Sequence, residues 1–423
     1  MSIDRSPDPL LWRFSLYGFL KNQQYYEPFF FLVLQAKGLS FFQIGLLFSF
    51  REVCVNLMGV PAGFLADFHG RKTSLLVCFC AYIASFLGFG LTRSIPWLFV
   101  SMFAFAVGES FRSGTHKAMI FHHLRLTGRE SEKPRIYGFT RSWSKLGSAV
   151  SALLSGAMVL ISGSYERVFL WAIVPYVLNL FNVGTYPKIL EGEIGRTSRS
   201  AGGLFRTMWS ETRACLAHRE LRGLFVQSAI LQATGKSVRG YLQPLVVGST
   251  AFLALGGALS GLDGFRRSSI VLAVLYFGLN VVSALASRQS HRLDRLSRSR
   301  FPFLWLGLLL VGSSIVLGIR SEGSFAGAAA LSLSGFVLMV VLENVWRPLL
   351  IDRLDDASDS RYGAAVLSVE AQLSSFCVMI GAPLVGRMAD RFGLVGVGWC
   401  VVGVAILAGL RAVLSKPRNP IGT

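Results

Sequence analysis

Ionisable side chains recur inside stretches of this chain that are otherwise apolar. In the first half they are Lys21, Glu27, Arg51, Glu52, Glu109, Arg112, Lys117, Arg141 and Lys145; in the second they are Lys236, Arg239, Glu343, Arg347 and Glu370. A charge among apolar residues is costly unless it faces a partner, a cavity or water, so each one marks a candidate site. Helical spacing sorts them. Glu109, Arg112 and His116 fall at i, i+3 and i+7 and share one helix face, while Arg141 and Lys145 at i, i+4 share another. A carboxylate in a low-dielectric cavity holds its proton more tightly, which suits Glu109 or Glu27 to carrying a proton. The cations Lys21, Arg112, Arg141, Lys145 and Arg239 outnumber the carboxylates Glu27, Glu109 and Glu370, which favours an anionic or zwitterionic ligand. Tyr17, Tyr25, Tyr26 and Trp143 would add an amphipathic wall. The structural alternative is that Glu109 pairs with Arg112 or Arg141, and Arg51 with Glu52, only to hold the helices together.

The elements that must position these residues are membrane helices. The 423 residues are 52% hydrophobic and 15% charged, with a mean hydropathy of +0.52, too apolar for a soluble domain of this size. Continuous apolar runs recur at approximately 12–34, 41–66, 74–92, 97–123, 138–162, 167–187, 223–248, 268–288, 301–319, 325–350, 362–385 and 394–415, about twelve in all, each long enough to cross about 30 Å of hydrocarbon. The runs do not alternate every second residue, which excludes a barrel. The 44 glycines are spread through them, as close helix packing requires. The first apolar run has no cleavage site after it and reads as a retained helix. The net charge of +19 comes from short loops without interleaved aromatics, so it predicts topology and not nucleic-acid binding. With both termini cytoplasmic, about 25 Lys and Arg fall on the cytoplasmic side and about 8 opposite, as the positive-inside rule asks. The six cysteines lack paired spacing, so no disulfide framework, metal site or cofactor is expected.

The chain divides into a first bundle over residues 1–187, a cytoplasmic linker over 188–222 and a second bundle over 223–423. An internal repeat supports this division. Tyr25-Tyr26-Glu27-Pro28 is answered by Tyr241-Leu242-Gln243-Pro244. The segment Lys117 to Leu124 is answered by Arg347 to Leu354, and Tyr137-Gly138 by Tyr362-Gly363. Prolines at 28, 61, 175, 244, 348 and 383 predict bends.

Between the second and third runs stands Gly63-Phe64-Leu65-Ala66-Asp67-Phe68-His69-Gly70-Arg71-Lys72. This segment resembles the conserved loop of the major facilitator superfamily, Gly-x-Leu-Ala-Asp-Arg-x-Gly-Arg-Lys or Arg, and the length and six-plus-six layout resemble that family throughout. The resemblance implies an all-α membrane protein of about twelve transmembrane helices in two pseudo-symmetric six-helix bundles. It also implies a conformational latch at Gly63, Asp67, Gly70, Arg71 and Lys72. Local chemistry agrees: Gly63 would let the helix pack closely, Gly70 would permit a tight reversal, and Arg71 with Lys72 would sit at the headgroups. The second-half counterpart, Ser290 to Arg298, retains Asp294 but neither glycine. A third look-alike, Gly386-Arg387-Met388-Ala389-Asp390-Arg391-Phe392-Gly393, falls on the extracytoplasmic side and is expected to be incidental. Phe68 replaces the family's Arg, and the fifth run lacks the Gly-Pro-rich stretch of proton-coupled drug antiporters.

The resulting expectation is a monomeric secondary transporter in a bacterial cytoplasmic membrane. It would move a small anionic or amphipathic solute by alternating access, coupled to protons, with export favoured over import. Substrate or coupling residues would be Lys21, Glu27, Arg51, Glu52, Glu109, Arg112, Arg141, Lys145, Arg239 and Glu370. Its rivals are a transporter-shaped sensor or assembly factor, and an enzyme built around His116, His122, His123 and Asp352. For the latter, no HExxH, GxSxG, Walker or paired-Asp motif is present.

Overall fold

In the computed structural model the described residues are 8–191, 210, 213, 215, 217–249, 261–297, 302–321, 327–358 and 363–414. All of their regular structure is helical. In chain order the helices are α1 (Pro9–Lys21), α2 (Phe30–Ala36), α3 (Phe41–His69), α4 (Arg71–Leu91), α5 (Ile95–Arg112), α6 (Thr115–Leu126), α7 (Lys133–Ser162) and α8 (Arg167–Gly184). They continue with α9 (Arg219–Val238), α10 (Leu242–Gly248), α11 (Gly264–Ser297), α12 (Pro302–Arg320), α13 (Ala328–Asp356), α14 (Gly363–Phe392) and α15 (Leu394–Leu414).

Among the described residues, eight helical segments are long and apolar enough to cross a membrane, and Glu27–Ala36 and Leu304–Arg320 are shorter apolar helices. The gap to the expected twelve arises largely because some spans are broken. The first is interrupted after Lys21 and resumes through a 3-10 turn, Glu27–Phe29, into α2. The seventh is interrupted by a 3-10 turn at Arg239–Tyr241 before α10. Proline explains both positions: Pro28 and Pro244 lack the N–H that an uninterrupted helix would use, and each sits where a new helical segment starts. The matching breaks fall on the repeat Tyr25–Pro28 and Tyr241–Pro244. The fourth span also breaks, at Gly114, whose φ of 74° is in the left-handed region, whereas α13 runs on through Pro348.

The chain forms two compact units. Unit 1 comprises Met1–Lys37, Phe50–Arg199 and Ser269–Asn280; unit 2 comprises Gly38–Ser49, Ser200–Ser268 and Val281–Thr423. The two helices α3 and α11 therefore each contribute to both units. Within unit 1, α4 packs on α5 and α8, and α1 on α7 and α8. Within unit 2, α12 lies against α13 and α15, and α9 against α14 and α13. Aromatic rings fill the core of unit 1, where Phe86, Phe89, Phe169 and Tyr176 are buried and in edge or tilted contact.

Candidate functional site

The break after Lys21 leaves that residue at the C-terminal end of α1, half-buried. It lies within electrostatic range of Arg112 and Glu109. No hydrogen bond or ion pair to a described residue holds its ammonium. Arg112 ends α5 and reaches Glu109 one turn back, Nη2 to Oε1 at 3.6 Å, which is an ion pair but longer than a hydrogen bond. Its Nε is buried without a hydrogen-bond partner. On α3, Arg51 Nη2 donates to Glu52 Oε1 at 2.7 Å; Glu52 is buried, and Arg51 also senses Glu109. The predicted i, i+3, i+7 face continues past the Gly114 break to His116, whose ring stacks on Tyr17 at 3.6 Å with 8° between the planes. His116 Nε2 and the Tyr17 hydroxyl are both buried without partners. Tyr82 and Tyr176, in edge contact at 5.2 Å, complete the surroundings of Arg112.

Lys21, Arg51, Glu52, Glu109 and Arg112 thus come together in unit 1. Arg51 and Glu52 form an ion pair of their own, with Arg51 also in electrostatic range of Glu109. What remains is Lys21 and Arg112 against Glu109, an excess of donors and of positive charge beside tyrosine rings. Such an arrangement offers positively charged donors beside apolar ring faces. Glu27 lies in the 3-10 turn, half-buried next to Tyr26. Arg141 and Lys145 share an exposed face of α7, and Arg141 makes no ion pair among the described residues, so Glu109 pairs with Arg112 alone of its two expected partners.

Unit 2 arranges its charges differently. Arg239 Nη2 donates to Glu343 Oε2, with the Glu343 carboxylate lying against Gly235, where a Cβ would have no room. Glu370, 2% exposed, accepts from Ser228 Oγ and Gln232 Nε2 and lies 3.4 Å from Arg347 Nη1. Ser228 and Gln232, four residues apart on α9, are the partners that sequence reasoning missed. Their i, i+4 spacing was visible, but nothing local ties them to a residue 138 positions away.

At the loop between α3 and α4, Gly70 has a φ of 90° and supplies the reversal expected of it. Arg71 Nη1 donates to the Ala118 carbonyl at 3.4 Å and Lys72 Nζ to the Tyr186 carbonyl at 3.1 Å, so both cations tie the corner to neighbouring segments of unit 1. The close packing expected at Gly63 is not found among the described residues, none of which lies within 4 Å of the position its Cβ would take. The side chains of Asp67 and Asp294 lie outside the described residues, as does most of the 188–222 linker. Among the described residues no group of His, Cys, Asp or Glu is placed to hold a metal ion.

Multiple apolar helices, two of them broken at matching points, with charges gathered inside, define a multi-pass membrane transporter fold. The profile of the Major Facilitator Superfamily matches residues 22–370, and the chain belongs to that superfamily. A curated relative is solute carrier family 2, facilitated glucose transporter member 10, of Mus musculus, 28% identical over 159 residues. That match covers 37% of this chain and only 28% of the relative's length. Among solved structures, the nucleoside transporter NupG superposes with a TM-score of 0.71 at 12% identity, covering 96% of this chain and 98% of that one. A peptide transporter POT in complex with sulfate gives 0.69 at 15%, covering 96% and 94%. A D-xylose-proton symporter gives 0.62 at 14%, covering 95% and 96%. At these identities the likeness is one of fold.

Proposed function

We propose that this chain is a proton-coupled secondary transporter whose substrate is a small organic anion or zwitterion with an apolar body, moved by alternating access and in the export direction. The observation that carries the reading is the pair of cations Lys21 and Arg112, held beside Tyr17, Tyr82 and Tyr176 with only the loosely engaged Glu109 to balance them. A cation excess retained within an apolar fold is best accounted for by a charge that arrives with the substrate. Glu109 is the proton carrier in this scheme, because it is the carboxylate that lies beside both cations. The corner Gly63, Asp67, Gly70, Arg71 and Lys72 acts as the cytoplasmic latch, Asp294 marks its degenerate second copy, and both termini face the cytoplasm of a bacterial cell. Glu27, Arg141, Lys145 and Arg239 serve as secondary contacts on the substrate path.

Flux into proteoliposomes, measured over a panel of organic anions, amino acids, sugars and organic cations with and without a pH gradient, tests the assignment. Anions or zwitterions with an aromatic or aliphatic body should be accumulated only when the gradient is imposed. Transport confined to organic cations, or unaffected by the gradient, would remove the anion and proton assignments respectively.

A further inference from the structure

The segment Gly386 to Gly393, which the sequence suggests is an incidental copy of the Gly63 to Gly70 pattern, is built as the same corner. Each has the spacing Gly-x-x-Ala-Asp-x-x-Gly. Each closes one helix and opens the next, α3 into α4 and α14 into α15, and the final glycine has a positive φ in both, 90° at Gly70 and 65° at Gly393.

The acid of the second copy is engaged. Asp390 accepts from the backbone N–H of Phe41 through Oδ1 and from that of Phe42 through Oδ2, each at 2.8 Å. The first residues of α3 have the donors typical of a helix start, and their accounting is complete. Ser40 Oγ accepts from Gln43 N–H at 3.3 Å, and Gln43 Oε1 accepts from Ser40 N–H at 2.9 Å, a reciprocal capping box. Ile44 N–H makes the first internal bond, to the Ser40 carbonyl. The two donors left over go to a carboxylate 348 or more positions away in sequence. Below this cap the two helices touch without side chains between them. A Cβ on Gly45 would stand 2.4 Å from the Ala382 carbonyl oxygen, and one on Gly386 would stand 2.3 Å from that of Phe41. Ser49 Oγ donates to the Met379 carbonyl at 2.6 Å. The contact runs antiparallel and ends at Ser49, where α3 passes from unit 2 to unit 1.

We infer that Asp390, with Gly45 and Gly386, forms an outer latch that grips the first turns of α3 and must let go for the protein to open on that side. The inference rests on the alternating-access reading and on the proposed topology. On that reading α3 carries a latch corner at its cytoplasmic end and is itself held by a second corner at the other. The grip suits a part that opens repeatedly: Asp390 is exposed, so water can replace it on the two N–H groups, and the glycine contacts cost no side-chain rearrangement to break.

Hydrogen–deuterium exchange on the full chain in lipid nanodiscs tests this without a known substrate. Asp390→Asn and Asp390→Ala should speed exchange of the amides in 41–49 and 379–393 by roughly tenfold, since charged hydrogen bonds are lost. The same variants should slow exchange over 63–72, because freeing the outer end shifts the population toward a closed cytoplasmic end. Gln43→Ala, which breaks only the local capping box, is the control and should fray residues 40–44 without changing 63–72. Should Asp390→Ala fail to fold, the isosteric Asn variant carries the measurement. A response confined to the outer end, or one that Gln43→Ala reproduces at 63–72, would overturn the latch and leave Asp390 as a helix cap. Failure of the flux assay with the opposed exchange response intact would strike the substrate reading alone.

Discussion

The two units treat buried charge in opposite ways. In unit 2 the carboxylates of Glu343 and Glu370 each have a cation: Glu343 has Arg239, and Glu370 has Arg347 together with Ser228 and Gln232. In unit 1 Arg51 and Glu52 form an ion pair, while around Arg112 the cluster is looser: among the described residues Lys21 has no ion pair, Arg112 stands 3.6 Å from Glu109, and Arg112 Nε, His116 Nε2 and the Tyr17 hydroxyl are buried without hydrogen-bond partners. A satisfied network rigidifies and specifies packing, whereas an incomplete one is costly unless something else completes it. On the proposed reading, substrate binding falls to the cluster on α1 and α5, while Glu370 with Arg347, Ser228 and Gln232 holds α9, α13 and α14 together.

The comparison breaks first at Arg112. Replacing it with Gln should lower anion flux by on the order of 10 to 100-fold, the loss expected for one charged hydrogen bond, while sparing expression. Arg112→Lys should restore little, because Lys offers a point charge without the planar donor set. Unchanged anion flux in Arg112→Gln would place the substrate elsewhere. A smaller and more selective effect is expected at Glu109. With the pair spaced at 3.6 Å and both side chains partly exposed, Glu109→Gln should cost about 1 kcal/mol of stability or less. It should abolish gradient-driven accumulation yet leave substrate exchange in place. The double change with Arg112→Gln should not recover coupling, and accumulation that survives in Glu109→Gln would move the proton to Glu27 or Glu370. The smallest effect on transport should come from Glu370→Gln in unit 2. Its amide can keep part of the hydrogen bonding from Ser228 and Gln232, so apparent substrate affinity should stay at the wild-type value while thermal stability falls by about 1–2 kcal/mol. A change in affinity without a change in melting would show that unit 2 shares the binding site.

Much of the fold was legible because lipid leaves so few options. Runs of apolar residues of spanning length can only be helices, and Pro28 and Pro244 fall where the first and seventh spans break. The reversal at Gly70 was equally readable, since a local pattern of glycine and charge determines a local turn. The one-turn spacing of Glu109 and Arg112 shows in their ion pair on α5, while His116, beyond the break at Gly114, stacks on Tyr17.

Which charges meet was not legible. The sequence presented Glu109 with two candidate cations, offered Gly63 as a packing glycine and gave Asp390 no partner at all. Its period of 3.6 determines which residues share a face, the length of its apolar runs determines that the chain crosses a membrane as helices, and its Gly-x-x-Ala-Asp-x-x-Gly corners determine where two of those helices turn. Only the tertiary structure decided that Asp390 holds the amides of Phe41 and Phe42, that Ser228 and Gln232 close on Glu370, and that Lys21 and Arg112 remain open. The physical reason is that helix formation uses hydrogen bonds within about four residues, whereas a buried or terminal charge is satisfied by whichever group the packing of distant helices brings within about 3 Å.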